Sequence, residues 1–199
     1  MPDSQTTATE GQTQATDSQT QTGPAWSSAI FDALSDAGIA QVAYVPDAGH
    51  RHLIQQAHAN PDMTAIPLTT EAEGPAVLAG AWLGGQRGVL LMQSSGVGNC
   101  PNMLATTQTC RFPLLMLVTM RGEFGEFNPW QLPMGRAAGP MLELMGCHVI
   151  RLEPADRDRV GEITAAAARM AFEGQVPVAI LISQALIGAK AFATDGDSK

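Results

Sequence analysis

Short apolar runs alternate along the chain with longer stretches of helical periodicity. The apolar runs read "IAQVAYV" (39–45), "MTAIPL" (63–68), "GVLLM" (88–92), "PLLMLVTM" (113–120), "HVI" (148–150) and "PVAILI" (177–182). Continuous apolar runs separated by helices are typical of parallel strands that are buried on both faces. The pattern therefore predicts a doubly wound α/β domain, with a mostly parallel sheet and helices on both of its faces.

Helices are predicted in the intervals between these strands. In the first, Trp26, Ile30 and Leu34 recur at helical spacing up to Ala37, and Gly38 follows as a residue that commonly ends helices. Further helices are predicted from about His50, from Glu71, and over residues 99–109, 138–146 and 156–172. A long loop over residues 121–135 separates two of these elements.

The two ends of the chain differ in composition from the rest. Residues 1–24 are mainly Gln, Thr, Ser, Ala and acids, and residues 191–199 are similarly polar. Such segments bury too little apolar area to offset the backbone entropy that ordering would cost. We therefore expect two disordered tails around one domain that covers residues 25–190.

The charge balance narrows the classes of partner. The 199 residues contain 11 Lys and Arg against 19 Asp and Glu, a net charge of −8, which argues against nucleic acid as a ligand. No apolar run is long enough to span a bilayer, so no membrane association is expected. The three cysteines are odd in number and form no CxxC pair. These features predict a cytoplasmic protein without a disulfide framework.

Ligands of doubly wound domains bind at the carboxyl ends of the strands, which directs attention to four segments. They are "VPDAGHRH" after the first strand, the acids Glu71 and Glu73 after the second, "QSSGVGN" after the third, and "RGEFGEFNPWQLPMG" after the fourth. All four are expected at one edge of the sheet.

Two explanations remain open for the acids. Thr69 or Thr70 could cap the helix, with Glu71 and Glu73 in its first turn, where acids are stabilised by the helix dipole. The helix that follows, "GPAVLAGAWLGG", contains no charged residue and consists largely of small side chains. Such a helix suggests packing against a partner surface, and a functional role for the acids beside it.

Four segments taken together resemble a known family. "YVPDAGHRHLI", "TTEAEGPAVLAGAWLGG", "LLMQSSGVGNCPNML" and "RGEFGEFNPWQLPMG" are similar, in this order, to the pyrimidine-binding domain of thiamine diphosphate enzymes, and specifically to sulfopyruvate and phosphonopyruvate decarboxylases. The similarity extends from about Gln41 to Gly146. It implies a thiamine diphosphate cofactor and decarboxylation of a small 2-oxo acid.

The resemblance assigns a role to one glutamate. In the superfamily, a glutamate nine residues ahead of a helix glycine hydrogen-bonds the aminopyrimidine ring nitrogen, and Glu71 stands nine residues before Gly80. The shared proton favours the tautomer of the cofactor that can deprotonate its thiazolium carbon. Glu71 is therefore the expected catalytic residue, and Glu73 is the fallback.

The resemblance also suggests further contacts. Gln93, Ser94, Ser95 and Gly96 are expected to touch the cofactor, although the segment could equally be a strand-to-helix turn in which Asn99 caps the next helix. Asp47 and His50 are weaker candidates for substrate contact, because the corresponding turn of the relatives faces the substrate pocket. Arg121 is a weak candidate because a sulfonate or phosphonate favours a forked cation. His50 and His52 lack a third ligand nearby, so no metal site is expected on this chain.

One family element is missing from the sequence. Thiamine diphosphate is normally held through Mg²⁺ by a Gly-Asp-Gly segment with a following asparagine, whereas here the only "DG" is Asp195-Gly196. The resemblance is thus to the alpha subunit of a split decarboxylase, whose beta subunit carries the diphosphate and Mg²⁺ site. A hetero-oligomer with a dimeric or tetrameric core is expected, and sulfopyruvate, which would give sulfoacetaldehyde and carbon dioxide, is the favoured substrate. The alternatives are decarboxylation or carboligation of phosphonopyruvate or another 3-substituted pyruvate, and a non-catalytic regulatory subunit.

Overall fold

Six parallel strands form one sheet in the computed structural model, which describes residues 23–188. The strand order is β2-β1-β3-β4-β6-β5, and every neighbouring pair is parallel. The strands are β1 Ile39–Tyr44, β2 Thr64–Pro67, β3 Arg87–Gln93, β4 Leu114–Thr119, β5 His148–Leu152 and β6 Pro177–Ile182. The predicted doubly wound α/β architecture is confirmed.

Helices connect the strands and cover both faces of the sheet. They are α1 Ala25–Asp36, α2 Arg51–Ala59, α3 Glu73–Leu83, α4 Ser94–Val97, α5 Pro101–Cys110, α6 Gln131–Leu144, α7 Val160–Gly174 and α8 Gln184–Ile187, with a 3-10 helix over Pro154–Arg159. Within residues 23–188, no helix is both long and apolar enough to cross a membrane. The two predicted tails lie outside the described residues, apart from Gly23 and Pro24.

Alternate residues of each central strand enter two separate cores. Val89 and Leu91 of β3 face the core shared with α1, α2 and α7, while Leu90 and Met92 face the core shared with α3, α5 and α6. All four side chains are essentially inaccessible to solvent. The two-residue period of a strand therefore places apolar side chains in both layers, which is why these strands are apolar throughout.

The helix that was predicted from Glu71 begins two residues later. Glu71 lies in the turn before α3, and the helix starts at Glu73. Neither threonine caps it through a side-chain oxygen. Instead, the Glu73 carboxylate accepts hydrogen bonds from the Thr69 N–H and from the Thr69 hydroxyl. The capping interpretation is therefore wrong, and the two acids do not share a helical turn.

Three other predicted boundaries also change. The loop predicted over residues 121–135 ends at Trp130, because α6 already begins at Gln131 and tolerates Pro133 in its first turn, where the missing N–H costs no helical hydrogen bond. The segment after β3 contains one helical turn, α4. The helix predicted over 156–172 divides into the 3-10 helix and α7.

Buried polar contacts hold the loop between β4 and α6 against the carboxyl edge of the sheet. The side-chain oxygen of Gln184, just after β6, accepts the N–H groups of Glu123 and Phe124 at 3.0 and 3.1 Å. The Arg121 guanidinium donates two hydrogen bonds to the Glu126 carboxylate, which also accepts from the Gln184 amide at 3.0 Å. The loop is thus fixed by its own ion pair and by a residue of the neighbouring strand end.

The ion pair changes the acidity of Glu126. Its side chain is 1% exposed, and the hydrogen bonds from Arg121 outweigh the effect of burial, so that the pKa of Glu126 falls from 4.5 to about 2. A carboxyl group whose pKa is lower in the folded state stabilises the fold while it is ionised. This stabilisation is complete above the unfolded pKa and is lost as the pH falls through the folded value.

We predict that Glu126→Gln lowers the free energy of unfolding most at neutral pH. The difference from the natural chain should shrink as the pH falls from 4.5 toward 2, because protonation then removes the same ion pair from the natural chain. Chemical denaturation at a series of pH values measures this.

The matched control is Glu162→Gln, which breaks the exposed ion pair between Arg159 and Glu162. Exposed pairs contribute about 0–1 kcal/mol, so this substitution should change stability little at any pH. If the free energy of unfolding of Glu126→Gln varies with pH in the same way as that of the natural chain, Glu126 does not provide this stabilisation.

Candidate functional site

Glu71 is a nearly buried carboxyl group at the carboxyl edge of the sheet. Its residue surface is 8% exposed, and its Oε2 accepts a hydrogen bond from the Asn99 side-chain amide at 2.9 Å. Its Oε1 accepts no hydrogen bond from residues 23–188 and is not among the sealed polar atoms that lack a partner. Glu73, by contrast, is exposed and bound to Thr69. Only Glu71 therefore presents a fixed carboxyl group with one oxygen available.

Gly96 provides the surface on which the Glu71 side chain rests. A β-carbon at position 96 would lie 2.3 Å from Oε1 and 2.4 Å from the carboxyl carbon of Glu71. Contacts below 3.0 Å are essentially never seen, so only glycine fits while Glu71 keeps this position. Gly96 belongs to α4, the short helical turn that follows β3.

A second carboxylate, Asp47, joins the ends of three strands. Its Oδ2 accepts hydrogen bonds from the Thr119 hydroxyl at the end of β4, at 2.6 Å, and from the Gly49 N–H, at 3.0 Å. Its Oδ1 accepts from the Gln93 amide at the end of β3, at 2.9 Å. Asp47 itself follows β1. Both oxygens are therefore held by donors from separate elements.

These donors keep Asp47 ionised. Burial alone would raise the pKa of the carboxyl group, but the hydrogen bonds from Thr119, Gln93 and Gly49 hold this pKa below its usual value. A carboxylate that accepts several hydrogen bonds commonly has a depressed pKa. Asp47 thus carries a negative charge throughout the neutral range.

His50 lies beneath this carboxylate and is completely buried. Its Nε2 is 3.2 Å from the Met92 carbonyl oxygen and 3.1 Å from that of Leu117. Burial lowers the pKa of His50 although Asp47 opposes this, so the ring is neutral and carries its proton on Nε2, where two acceptors face it. Direct substrate contact, which the sequence analysis suggested for His50, does not agree with this buried position.

Two of the remaining candidates, Gln93 and Ser95, connect to Asp47 through hydrogen bonds, whereas Ser94 and Arg121 have other partners. The Ser95 hydroxyl donates to the Gln93 side-chain oxygen at 3.0 Å, and Ser95 is exposed. Ser94 is buried, and its Oγ accepts the Arg121 N–H at 3.0 Å. The Arg121 side chain is committed to Glu126, and that hydrogen bond raises the pKa of Arg121. Arg121 is therefore not a free cation.

Two cavities open beside Asp47. One of about 100 Å³ is bordered by Asp47, Thr119, Arg121 and Gln184. The other, of about 380 Å³, is bordered by Asp47, Tyr44 and Arg51, and the Arg51 side chain forms no hydrogen bond or ion pair within residues 23–188. The segment 93–99 joins this region to Glu71, so the sequence candidates converge on one edge.

Sequence reasoning missed three contributors to this edge. Thr119 binds Asp47, and Gln184 binds the β4–α6 loop. Thr119 ends β4 and Gln184 follows β6, so the rule that ligands bind at the carboxyl ends of strands could have selected both residues. Asn99 was expected to cap the next helix, but Cys100 occupies the position before α5, and the Asn99 side chain binds Glu71 instead. Its role depends on a contact between residues far apart in sequence.

Large apolar side chains are also exposed away from the two cavities at Asp47. Leu83 of α3 is 87% exposed and Trp130 beside α6 is 85% exposed. Between α3 and α5 lies a groove of about 480 Å³, bordered by Gly80, Leu83 and Met103 among others. Among the described residues, no group of three or more His, Cys, Asp or Glu side chains is arranged to hold a metal ion.

Comparison with known proteins gives a consistent set of relatives. The sulfopyruvate decarboxylase subunit alpha of Methanothermobacter thermautotrophicus is 37% identical over 141 residues, which cover 69% of this chain and 86% of that protein. The phosphonopyruvate decarboxylase of Streptomyces viridochromogenes is 33% identical over 156 residues, covering 77% of this chain and 39% of that longer protein.

Solved structures share the fold. A 2-oxoglutarate:ferredoxin oxidoreductase from Magnetococcus marinus superposes with a TM-score of 0.64 at 14% identity, over 82% of this chain and 29% of that one. The sequence pattern described as thiamine pyrophosphate enzyme, N-terminal TPP binding domain, matches residues 25–124. The chain therefore belongs to the family of thiamine pyrophosphate enzymes, as a protein with their N-terminal TPP-binding domain.

Proposed function

We propose that this chain is the alpha subunit of a two-chain, thiamine-diphosphate-dependent 2-oxo acid decarboxylase that acts on sulfopyruvate. The observation that supports this most directly is Glu71, a nearly buried carboxyl group with one oxygen bound and the other available, in the N-terminal TPP-binding domain. Its relatives of similar length are named sulfopyruvate decarboxylase subunit alpha. One domain, residues 25–190, would perform this role.

The residues at the edge fit the pyrimidine half of thiamine diphosphate. A neutral aminopyrimidine needs one carboxyl group as a hydrogen-bond partner and a close approach of backbone. Glu71 offers Oε1, while Gly96 and the exposed Ser95 leave the adjoining backbone uncovered by large side chains. Gln93 and Ser94 complete the segment that we assign to cofactor contact.

When bound, thiamine diphosphate would supply a carbon nucleophile, and it would accept the electron pair that remains on the substrate when the carboxyl group leaves as carbon dioxide. Within this chain, Glu71 would share a proton at Oε1 with the ring nitrogen of the cofactor. Because Glu71 is only 8% exposed, a ligand seated against Oε1 would leave little room for water at that hydrogen bond, which would strengthen it. Asp47 would keep a negative charge in a fixed orientation at the edge of the substrate cavity, since three donors hold its oxygens.

The charges around Asp47 bear on the substrate. A 2-oxo acid with a sulfonate or phosphonate at C3 carries several negative charges and needs a cation beside Asp47. Arg121 is neutralised by Glu126, whereas Arg51 is exposed and borders the larger cavity together with Asp47. We therefore assign recognition of the anionic substituent to Arg51, and give Arg121 and His50 the role of holding the cavity wall.

The diphosphate and Mg²⁺ are assigned to a beta subunit. The exposed groove between α3 and α5, with Leu83 and Gly80 at its border, is the kind of apolar surface that marks a protein interface. The cofactor would then lie between the two chains, in a hetero-oligomer with a dimeric or tetrameric core. Phosphonopyruvate is the second candidate substrate, because relatives of that name also match this chain.

Cofactor binding is expected to require both chains. Thiamine diphosphate with Mg²⁺ should bind to this chain only in the presence of a partner that carries the Gly-Asp-Gly segment, because a diphosphate requires a divalent cation and its ligands. Isothermal titration calorimetry on the chain alone and on the mixture measures this. Tight binding by this chain alone would contradict the two-chain proposal.

The catalytic prediction concerns Glu71. Glu71→Gln should keep the shape of the side chain and assembly with the partner, but should lower kcat by about 100-fold or more, since an amide cannot share a proton with the ring nitrogen. The matched control is Glu73→Gln, which changes the exposed neighbour and should leave kcat within about twofold. Full activity of Glu71→Gln would contradict the assignment and favour a non-catalytic subunit or a different acid.

The specificity prediction concerns Arg51. Arg51→Gln should raise KM for sulfopyruvate by about tenfold, the loss of one charge-assisted hydrogen bond, and should leave turnover of unsubstituted pyruvate unchanged. Arg169→Gln is the matched control, because Arg169 is also exposed but borders a cavity between α1 and α7 with Asp36. An equal loss with both substrates, or an unchanged KM for sulfopyruvate, would remove Arg51 from substrate recognition.

A further inference from the structure

The position of the Glu71 carboxyl group depends on two neighbours, Gly96 and Asn99, rather than on a helix. Glu71 lies in a turn, so the helix does not fix its side chain. Gly96 limits where the carboxyl group can lie, through contacts that leave no space for a β-carbon. The Asn99 amide, 28 residues away, donates to Oε2 at 2.9 Å. Asn99 is thus the residue that distinguishes the two oxygens.

This difference has a chemical consequence for any proton on the carboxyl group. An oxygen that accepts an amide N–H has one of its two lone pairs occupied, and that N–H cannot accept a hydrogen bond in return. A proton that the carboxyl group shares with a ligand is therefore favoured on Oε1 over Oε2. Oε1 is the oxygen that has no partner within the described residues and is not sealed from solvent.

From this geometry we infer that Asn99 is a positioning residue that confines the shared proton of Glu71 to Oε1, the oxygen available to the cofactor. The inference rests on the proposed function, since it concerns the same carboxyl group. Asn99 itself would contact neither the cofactor nor the substrate. Asn99 acts through Glu71, because its hydrogen bond occupies Oε2 and leaves Oε1 as the oxygen that can share a proton with the cofactor.

The surroundings of Asn99 suit this role. Asn99 follows α4, and its N–H donates to the Gly96 carbonyl oxygen at 3.0 Å, so that the residue which binds Glu71 and the residue that supports it are linked directly. The next residue, Cys100, donates its thiol to the same carbonyl at 3.4 Å. Burial, together with the nearby Glu71, raises the pKa of Cys100 to about 12, so the thiol remains a donor. The local backbone is therefore held independently of the Asn99 side chain.

This independence allows a sharp test with two substitutions. Asn99→Ala removes the donor, and Asn99→Asp replaces the donor with an acceptor that competes for the proton. Asn99 is exposed, so neither change should disturb the core. Asn102→Asp is the matched control, because Asn102 is an exposed asparagine of α5 that makes no contact with Glu71 and receives the same change of charge.

Two measurements on the full chain in complex with its partner separate the outcomes. The first is the affinity for thiamine diphosphate with Mg²⁺ by calorimetry, and the second is the rate of hydrogen–deuterium exchange at C2 of the bound thiazolium. Asn99→Asp should slow exchange by about tenfold or more and Asn99→Ala by less, while affinity changes by under about threefold. Asn102→Asp should leave both unchanged.

The controls distinguish failure of this inference from failure of the proposed function. If Glu71→Gln abolishes exchange but both Asn99 variants exchange within about twofold of the natural complex, Asn99 does not position the proton. If affinity falls as strongly as exchange in the Asn99 variants, the residue supports the cofactor site in general and the inference is also overturned. If Glu71→Gln leaves exchange intact, the proposed role of Glu71 fails, and the inference fails with it.

Discussion

A carboxyl group that lies wholly or partly out of solvent must be satisfied by donors. Two such groups, the buried Glu71 and the half-buried Asp47, dictate much of the arrangement at the carboxyl edge of the sheet. Because neighbouring parallel strands end together, Asp47 can draw donors from β3 and β4 without a long loop. Glu71 finds its donor on the segment that follows β3. The segment 93–99 therefore serves both acids, with Gln93 at one end and Asn99 at the other.

The two acids are prepared for different tasks by the number of donors around them. Asp47 has both oxygens occupied and a lowered pKa, so its charge is fixed. Glu71 has one oxygen occupied and one available. The surroundings, rather than the residue type, thus distinguish a carboxylate with both oxygens bound from a carboxyl group with one oxygen available for the cofactor contact proposed above.

The sequence was sufficient for the fold and for the expectation that the candidate residues lie at one edge of the sheet. Apolar runs predicted the parallel sheet, and the rule on strand ends selected Asp47, Glu71 and the segment after β3. It was not sufficient for side-chain partners. The pairing of Arg121 with Glu126 and the burial of His50 depend on how the loops close over the strand ends, which periodicity does not encode. The same is true of Asn99, because local capping and a distant carboxyl group compete for its amide.

The close approach of Gly96 to Glu71 makes one position depend on another 25 residues away, because a side chain at position 96 would meet the carboxyl group. A descendant of this chain that acquired any side chain at position 96 would have to move or lose the acid, since the space is already filled by the carboxyl group. A glutamate at position 71 can therefore keep this orientation only while position 96 remains glycine. A relative with a larger residue there would have to hold any carboxyl group at this edge in another place, and the cofactor contact proposed for Glu71 would not transfer to it.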